Sequence, residues 1–158
     1  MFTLLKPFVV FGLLLAAPAS VGAQTANVSF GGLKADTTLP VEVTAENLEV
    51  NQTDGTATFV GDVLVKQGEM RLSAGKIRVI YDATGKEIDR LVASGQVLIV
   101  NATDAAEGAE AVYTIASGEV VMQGNVLMTQ GQTAIKGEKL VINLKTGTGR
   151  MEGGVTTT

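Results

Sequence analysis

The chain has 158 residues, with 12 basic and 16 acidic side chains and no cysteine, histidine or tryptophan. That length suits one domain with a real core. The missing residue types exclude disulfide frameworks, thiol nucleophiles, cysteine or histidine metal sites and the commonest general base. A net charge of −4, with two tyrosines and five phenylalanines, offers neither the positive field nor the stacking rings that nucleic acid requires, so nucleic acid is set aside as a partner.

The first element in chain order is an export signal. Lys6 precedes VVFGLLLAAPASVGAQ, an apolar run closed by the small residues Val21-Gly22-Ala23. The run is shorter than the ~20 residues of a spanning helix, which predicts a cleaved signal peptide over 1–23 rather than a retained anchor. Without Lys6 the exported chain carries 11 basic residues against 16 acidic ones, a net charge of −5. Residues 24–40, QTANVSFGGLKADTTLP, are small, polar and aperiodic, and are expected to form a flexible lead-in ending at Pro40.

From Val41 to the end the pattern is constant, and it defines one all-β domain over 41–158. Apolar β-branched residues alternate with polar ones, and Gly, Asn, Asp or Thr interrupts them every ten residues or so. Eight extended limbs are predicted, near 41–50, 56–66, 69–81, 87–100, 108–116, 119–129, 132–144 and 148–156. The turns between them are short and contain glycine, such as Asp54-Gly55 and Ser117-Gly118, which favours antiparallel neighbours. Gly61, Gly95, Gly124 and Gly153 fall inside limbs at spacings of 34, 29 and 29 residues. Glycine weakens a strand, so a recurrent one marks a bend, bulge or corner. The expected architecture is an open antiparallel β-jelly roll, or β-taco, built from stacked bent hairpins, with an exposed strand edge at each end.

Catalytic chemistry finds little support. The carboxylates sit at turns or on the polar side of the alternation, as solvated groups do. GKEIDR (85–90) reads as a charged turn, and Gly147-x-Gly149 is not followed by a helix. No catalytic residue, metal or cofactor is expected. What remains is an aliphatic interior, with candidates Val41, Val43, Leu48, Val50, Phe59, Val63, Val65, Leu72, Ile77, Val79, Leu98, Val100, Tyr113, Ile115, Leu127, Ile135, Leu140 and Ile142. If the taco does not close, this interior is an apolar trough suited to acyl chains. If it does close, the chain is a structural or adhesive exported repeat without cargo.

The segment FVGDVLVKQGEMRLSAGKIRVIY (59–81) returns as MQGNVLMTQGQTAIKGEKLVINL (122–144). Gly61, Val63, Leu64, Gln67, Gly68 and Lys76 thereby meet Gly124, Val126, Leu127, Gln130, Gly131 and Lys139. With PVEVTAENLEV and AEGAEAVYTIASGEVVMQGNVLMTQG, this motif resembles the OstA-like family of periplasmic lipopolysaccharide-transport proteins over about residues 36 to 145. The resemblance implies a non-enzymatic protein of the periplasm that holds lipopolysaccharide by its acyl chains and serves outer-membrane assembly. It also implies partners: a membrane-anchored inner-membrane component, an outer-membrane translocon, and further copies joined head to tail through terminal strands. It points to lipid entry at Thr37, Val41 and Val43 and to contacts further along at Tyr113 and Ile115. Val50, Phe59, Val63, Val65, Leu98 and Val100 complete the expected lining. A membrane-anchored relative would keep an N-terminal helix and an outer-membrane one would continue into a large barrel, so the free periplasmic bridge is the expected role.

Overall fold

A computed structural model describes residues 25–29 and 31–158. The expected signal peptide lies outside the described residues. Among the described residues eleven strands form one sheet: β1 (Thr25–Ser29), β2 (Glu42–Thr44), β3 (Asn47–Asn51), β4 (Thr56–Gln67), β5 (Met70–Tyr81), β6 (Ile88–Asn101), β7 (Asp104–Thr114), β8 (Glu119–Gln130), β9 (Thr133–Asn143), β10 (Thr148–Glu152) and β11 (Thr156–Thr157). Every pairing is antiparallel, and β4 to β9 follow one another as a meander. The limbs read from the sequence correspond to these strands. The main difference is β7, which starts at Asp104 because Asp104-Ala105-Ala106, turn-like in composition, pairs with the ends of β6 and β8.

The mid-limb glycines are corners. Gly61, Gly95, Gly124 and Gly153 have φ of +86°, +80°, +87° and +85°, and each is followed by a second residue at positive φ. Those followers are Asp62, Gln96, Asn125 and Gly154, at +43°, +55°, +47° and +61°. Glycine enters this region without steric cost, and Asp and Asn tolerate it better than most residues. The ladder breaks register at these corners, between Val60 and Val63, Ser94 and Val97, and Gln123 and Val126. A two-residue bulge bends its strand, and four in line fold the sheet into two layers. The two edges are split in the same way: β3 and β2 pair with the first and second halves of β4, and β10 and β11 with the two halves of β9.

Directly opposed residues in a sheet share a face, so the register defines continuous rows. In the first layer one row runs Leu48, Phe59, Ile77, Ala93, Ala111, Met122, Leu140 and Met151. Beside it lies Val50, Ala57, Val79, Leu91, Tyr113, Val120 and Ile142. The second layer contributes Val43, Val65, Leu72, Ile99, Ala106, Met128 and Ile135. Away from the edges these side chains form one buried cluster, and from Leu72 to Ile142 most are at most 2% exposed.

The described part of the lead-in is built onto this body, contrary to the flexible segment expected over 24–40. β1 pairs along β10, from Thr25 opposite Glu152 to Ser29 opposite Thr148. A 3-10 turn at Gly31–Leu33 follows, and Leu33 is completely buried. Residues 34–39 then run as a strap along the rims of the two layers. The Ala35 amide donates to the Leu144 carbonyl (2.8 Å), and the Asn101 side-chain amide donates to the Lys34 carbonyl (2.7 Å). Composition misses this, because side chains elsewhere in the fold hold the strap.

Candidate functional site

Most of the expected lining faces the space between the layers. Val63 and Val65 are 1% and 0% exposed, and Tyr113 is completely buried. Val41, Val43, Phe59 and Ile115 are partly buried against the core. Thr37 lies on the strap, where its carbonyl accepts a bond from the Gln67 side chain (3.2 Å).

Leu98 and Val100 require correction, because they face away from the interior. Val97, Ile99 and Asn101 are the buried residues of this stretch. Leu98 sits opposite Ser73 and Glu107, and Val100 opposite Arg71 and Ala105, all outside the buried core. Val97 to Val100 is apolar on both sides of the strand, so alternation carries no signal there and only cross-strand register fixes the face. Leu127, opposite Glu107 and Lys136, is outward for the same reason.

The interior changes character along its length. Its centre is dry: Leu72, Ile77, Leu91, Ile99, Met122 and Met128 are 0–1% exposed. At the β3 end the same rows come into the open. Leu48 is 55% exposed and Val50 65% exposed, although each stands opposite an inward residue, Phe59 and Ala57. Leu39, on the last turn of the strap, is 41% exposed. The apolar rows therefore run out to an exposed strand edge at β3.

One polar side chain joins the layers to the strap. Gln67, 1% exposed at the end of β4, accepts a hydrogen bond from the Tyr113 hydroxyl (2.7 Å) across the interior. Its amide donates to the carbonyls of Thr37 and Leu39 (3.2 and 2.9 Å). A buried amide with these partners is satisfied, and losing any of them is costly. Burial pushes the Tyr113 hydroxyl up to about 12, against the smaller opposing effect of its bond to Gln67. On the rim, Thr38 donates from its backbone amide and hydroxyl to Asp36, which holds that carboxyl below the usual range. Gln130, the repeat counterpart of Gln67, donates to the buried Asp104 (3.0 Å). The repeat shows both glutamines, but only the fold shows that Gln67 ties the layers to the strap while Gln130 bonds the opposed residue of the next strand.

A pocket of about 600 Å³ lies on the strap, lined by Lys34, Ala35, Asp36, Thr37, Thr38 and Lys145. A larger one, about 840 Å³, sits at the corners among mostly outward residues such as Ser94, Gln96 and Glu110. Neither lies between the layers. Among the described residues no three Asp or Glu side chains gather as a metal site, and no helix is long and apolar enough to cross a membrane.

Comparison with known proteins gives a consistent result. Residues 42–148 match the family described as "LptA/(LptD N-terminal domain) LPS transport protein". An uncharacterised protein of Rhizobium meliloti (strain 1021) is 28% identical over 119 residues, which are 71% of this chain and 63% of that protein. The match thus spans less than two thirds of that relative's length. Among solved structures, LptH of Pseudomonas aeruginosa superposes with a TM-score of 0.63 at 23% identity, covering 70% of this chain and 80% of that one. It is described as the LptA-homologous periplasmic component of a conserved lipopolysaccharide transport device. At that identity the likeness speaks for the fold.

Proposed function

The chain belongs to the LptA and LptD N-terminal family of lipopolysaccharide-transport proteins, and from that premise we propose that it is an exported, non-enzymatic carrier of lipopolysaccharide. It acts in the periplasm after loss of residues 1–23. It takes acyl chains between its layers and passes them along a head-to-tail bridge from an inner-membrane component to an outer-membrane translocon. The observation that carries this reading is the exposed end of the apolar rows at β3. Rows that are fully buried at the centre run out to Leu48 and Val50, 55% and 65% exposed, as a path for hydrocarbon requires. Val41, Val43 and Phe59 line the way in, and Tyr113 and Ile115 lie further along.

One observation favours a second reading. The dry centre, with Tyr113 tied to Gln67, also fits a closed structural repeat without cargo. Photocrosslinking in cells decides between them, with a reactive residue at Ile115 and a control at the outward Arg78. A lipopolysaccharide adduct at Ile115 and none at Arg78 supports the carrier. A folded, exported protein that gives no adduct supports the closed repeat.

A further inference from the structure

The chain covers its own C-terminal edge. Strand order in the sheet ends β9-β10-β1, so the strand beyond β10 comes from the lead-in before the domain. β1 lies antiparallel along the whole of β10, with five opposed pairs. In the first layer this is the position that β3 of a following copy would take if the layers continued from one molecule to the next. The direction also agrees. β4 to β9 are six alternating strands, with β3 antiparallel to the first and β10 antiparallel to the last. A copy stacked in the same orientation therefore presents β3 antiparallel to β10, as β1 already is.

We propose that β1 is a removable self-cap, which occupies the β10 edge until β3 of a second copy displaces it. The inference rests on the head-to-tail reading above and adds its control. An uncovered edge strand pairs with whatever strand it meets, and adding a strand to an exposed edge is a general mode of recognition. β1 is suited to temporary cover because its sequence, TANVS, is small and polar. Its register sets Ala26 opposite Met151, on an inward row, and Val28 opposite Gly149. β3 would bring Leu48 and Val50 to the inward rows, and both are largely exposed in the single chain. Exchange thus puts Leu48 in the place of the smaller Ala26 and brings Leu48 and Val50, which otherwise face water, onto covered rows. A contact between the two different ends of the chain is open, and it propagates along a line rather than closing into a ring.

The test uses the absence of cysteine in the whole chain. Asn27 and Arg150 are opposed and both exposed, and facing residues of an antiparallel pair are close enough for a disulfide. In the exported chain carrying Asn27→Cys and Arg150→Cys, oxidation is expected to give an intramolecular bridge. The bridged protein should remain monomeric in a sedimentation concentration series, and reduction should restore growth into oligomers. Ala26→Pro with Asn27→Pro removes a ladder N–H whichever of the two faces β10, and should lower the concentration for assembly roughly tenfold. Val50→Asp should abolish assembly of the reduced protein. Assembly of the bridged protein as readily as the reduced one overturns the cap and leaves head-to-tail assembly standing. A disulfide-linked dimer, or no bridge at all, also overturns it, because β1 then lies elsewhere. If every variant stays monomeric, head-to-tail assembly itself falls, while a lipid adduct at Ile115 would be unaffected.

Discussion

Gln67→Leu tests how the two layers and the strap are held together. The substitution keeps the approximate volume but removes one accepted and two donated hydrogen bonds, to the Tyr113 hydroxyl and to the Thr37 and Leu39 carbonyls. Three net bonds at about 1 kcal/mol each give about 3 kcal/mol, and the buried hydroxyl left without a partner adds about 1 kcal/mol or more. A loss of about 4 kcal/mol in a domain of this size corresponds to a fall in Tm of roughly 10–20 °C. Urea unfolding gives the free energy, and hydrogen exchange at the Ala35 amide, bonded to Leu144 across the strap, shows whether the strap is released. Tyr113→Phe completes a double-mutant cycle. Combined with Gln67→Leu it should recover about 1 kcal/mol, because no hydroxyl remains unsatisfied. A fall in Tm of a few degrees, unchanged exchange at Ala35 and strictly additive mutants would together refute the latch.

Two further outcomes follow from the same geometry. Val43→Asp places a carboxylate opposite the fully buried Val65, at the way into the interior. It should abolish binding of a fluorescent fatty-acid probe, leave export intact and reduce stability by about 2 kcal/mol; a folded mutant that binds the probe normally counts against the interior assignment. Tyr113 has a folded pKa of about 12, raised from 10, so its neutral form is favoured by folding. The unfolded chain loses that proton first as pH rises. This contribution is therefore intact below pH 10 and is lost progressively between pH 10 and 12. Wild-type stability should fall more steeply than that of Tyr113→Phe across this window, in urea titrations at each pH, and parallel curves would refute the assignment.

Much of the architecture was legible because a single physical rule repeats. Glycine is disfavoured inside strands, so its return at Gly61, Gly95, Gly124 and Gly153 marks the corners in the sequence itself. Alternation placed Val63, Val65, Ile77 and Val79 on the inner face correctly. It failed at Leu98, Val100 and Leu127, where both faces carry apolar residues and the deciding information is the charge on neighbouring strands. The strap was illegible for a different reason. ADTTLP has the composition of a loop, and its order comes from Gln67 and Asn101, which are distant in the chain. β1 shows the same limit: nothing in TANVS announces that it will lie on TGRME, more than 120 residues later.

A dry centre and an acyl cargo are compatible if the layers part, and the balance of terms says where resistance lies. Separating the rows exposes aliphatic side chains, but hydrocarbon entering between them covers the same surface, so that cost largely cancels. Each methylene leaving water contributes about 0.8 kcal/mol, so a chain of ten contributes about 8 kcal/mol. What does not cancel is polar, namely the Tyr113–Gln67 bond between the layers and the bonds holding the strap. At about 1 kcal/mol each, these are smaller than the gain from one acyl chain. In the empty molecule they add to burial of the aliphatic rows, which keeps the interior closed and out of water. On the carrier reading, entry begins at Leu48 and Val50, where the rows are already exposed. At the β10 edge β1 blocks the continuation, so on the reading proposed here cargo leaves only after the next copy has displaced it. On that reading docking and delivery are one event, and an unpartnered end would not release lipid into water.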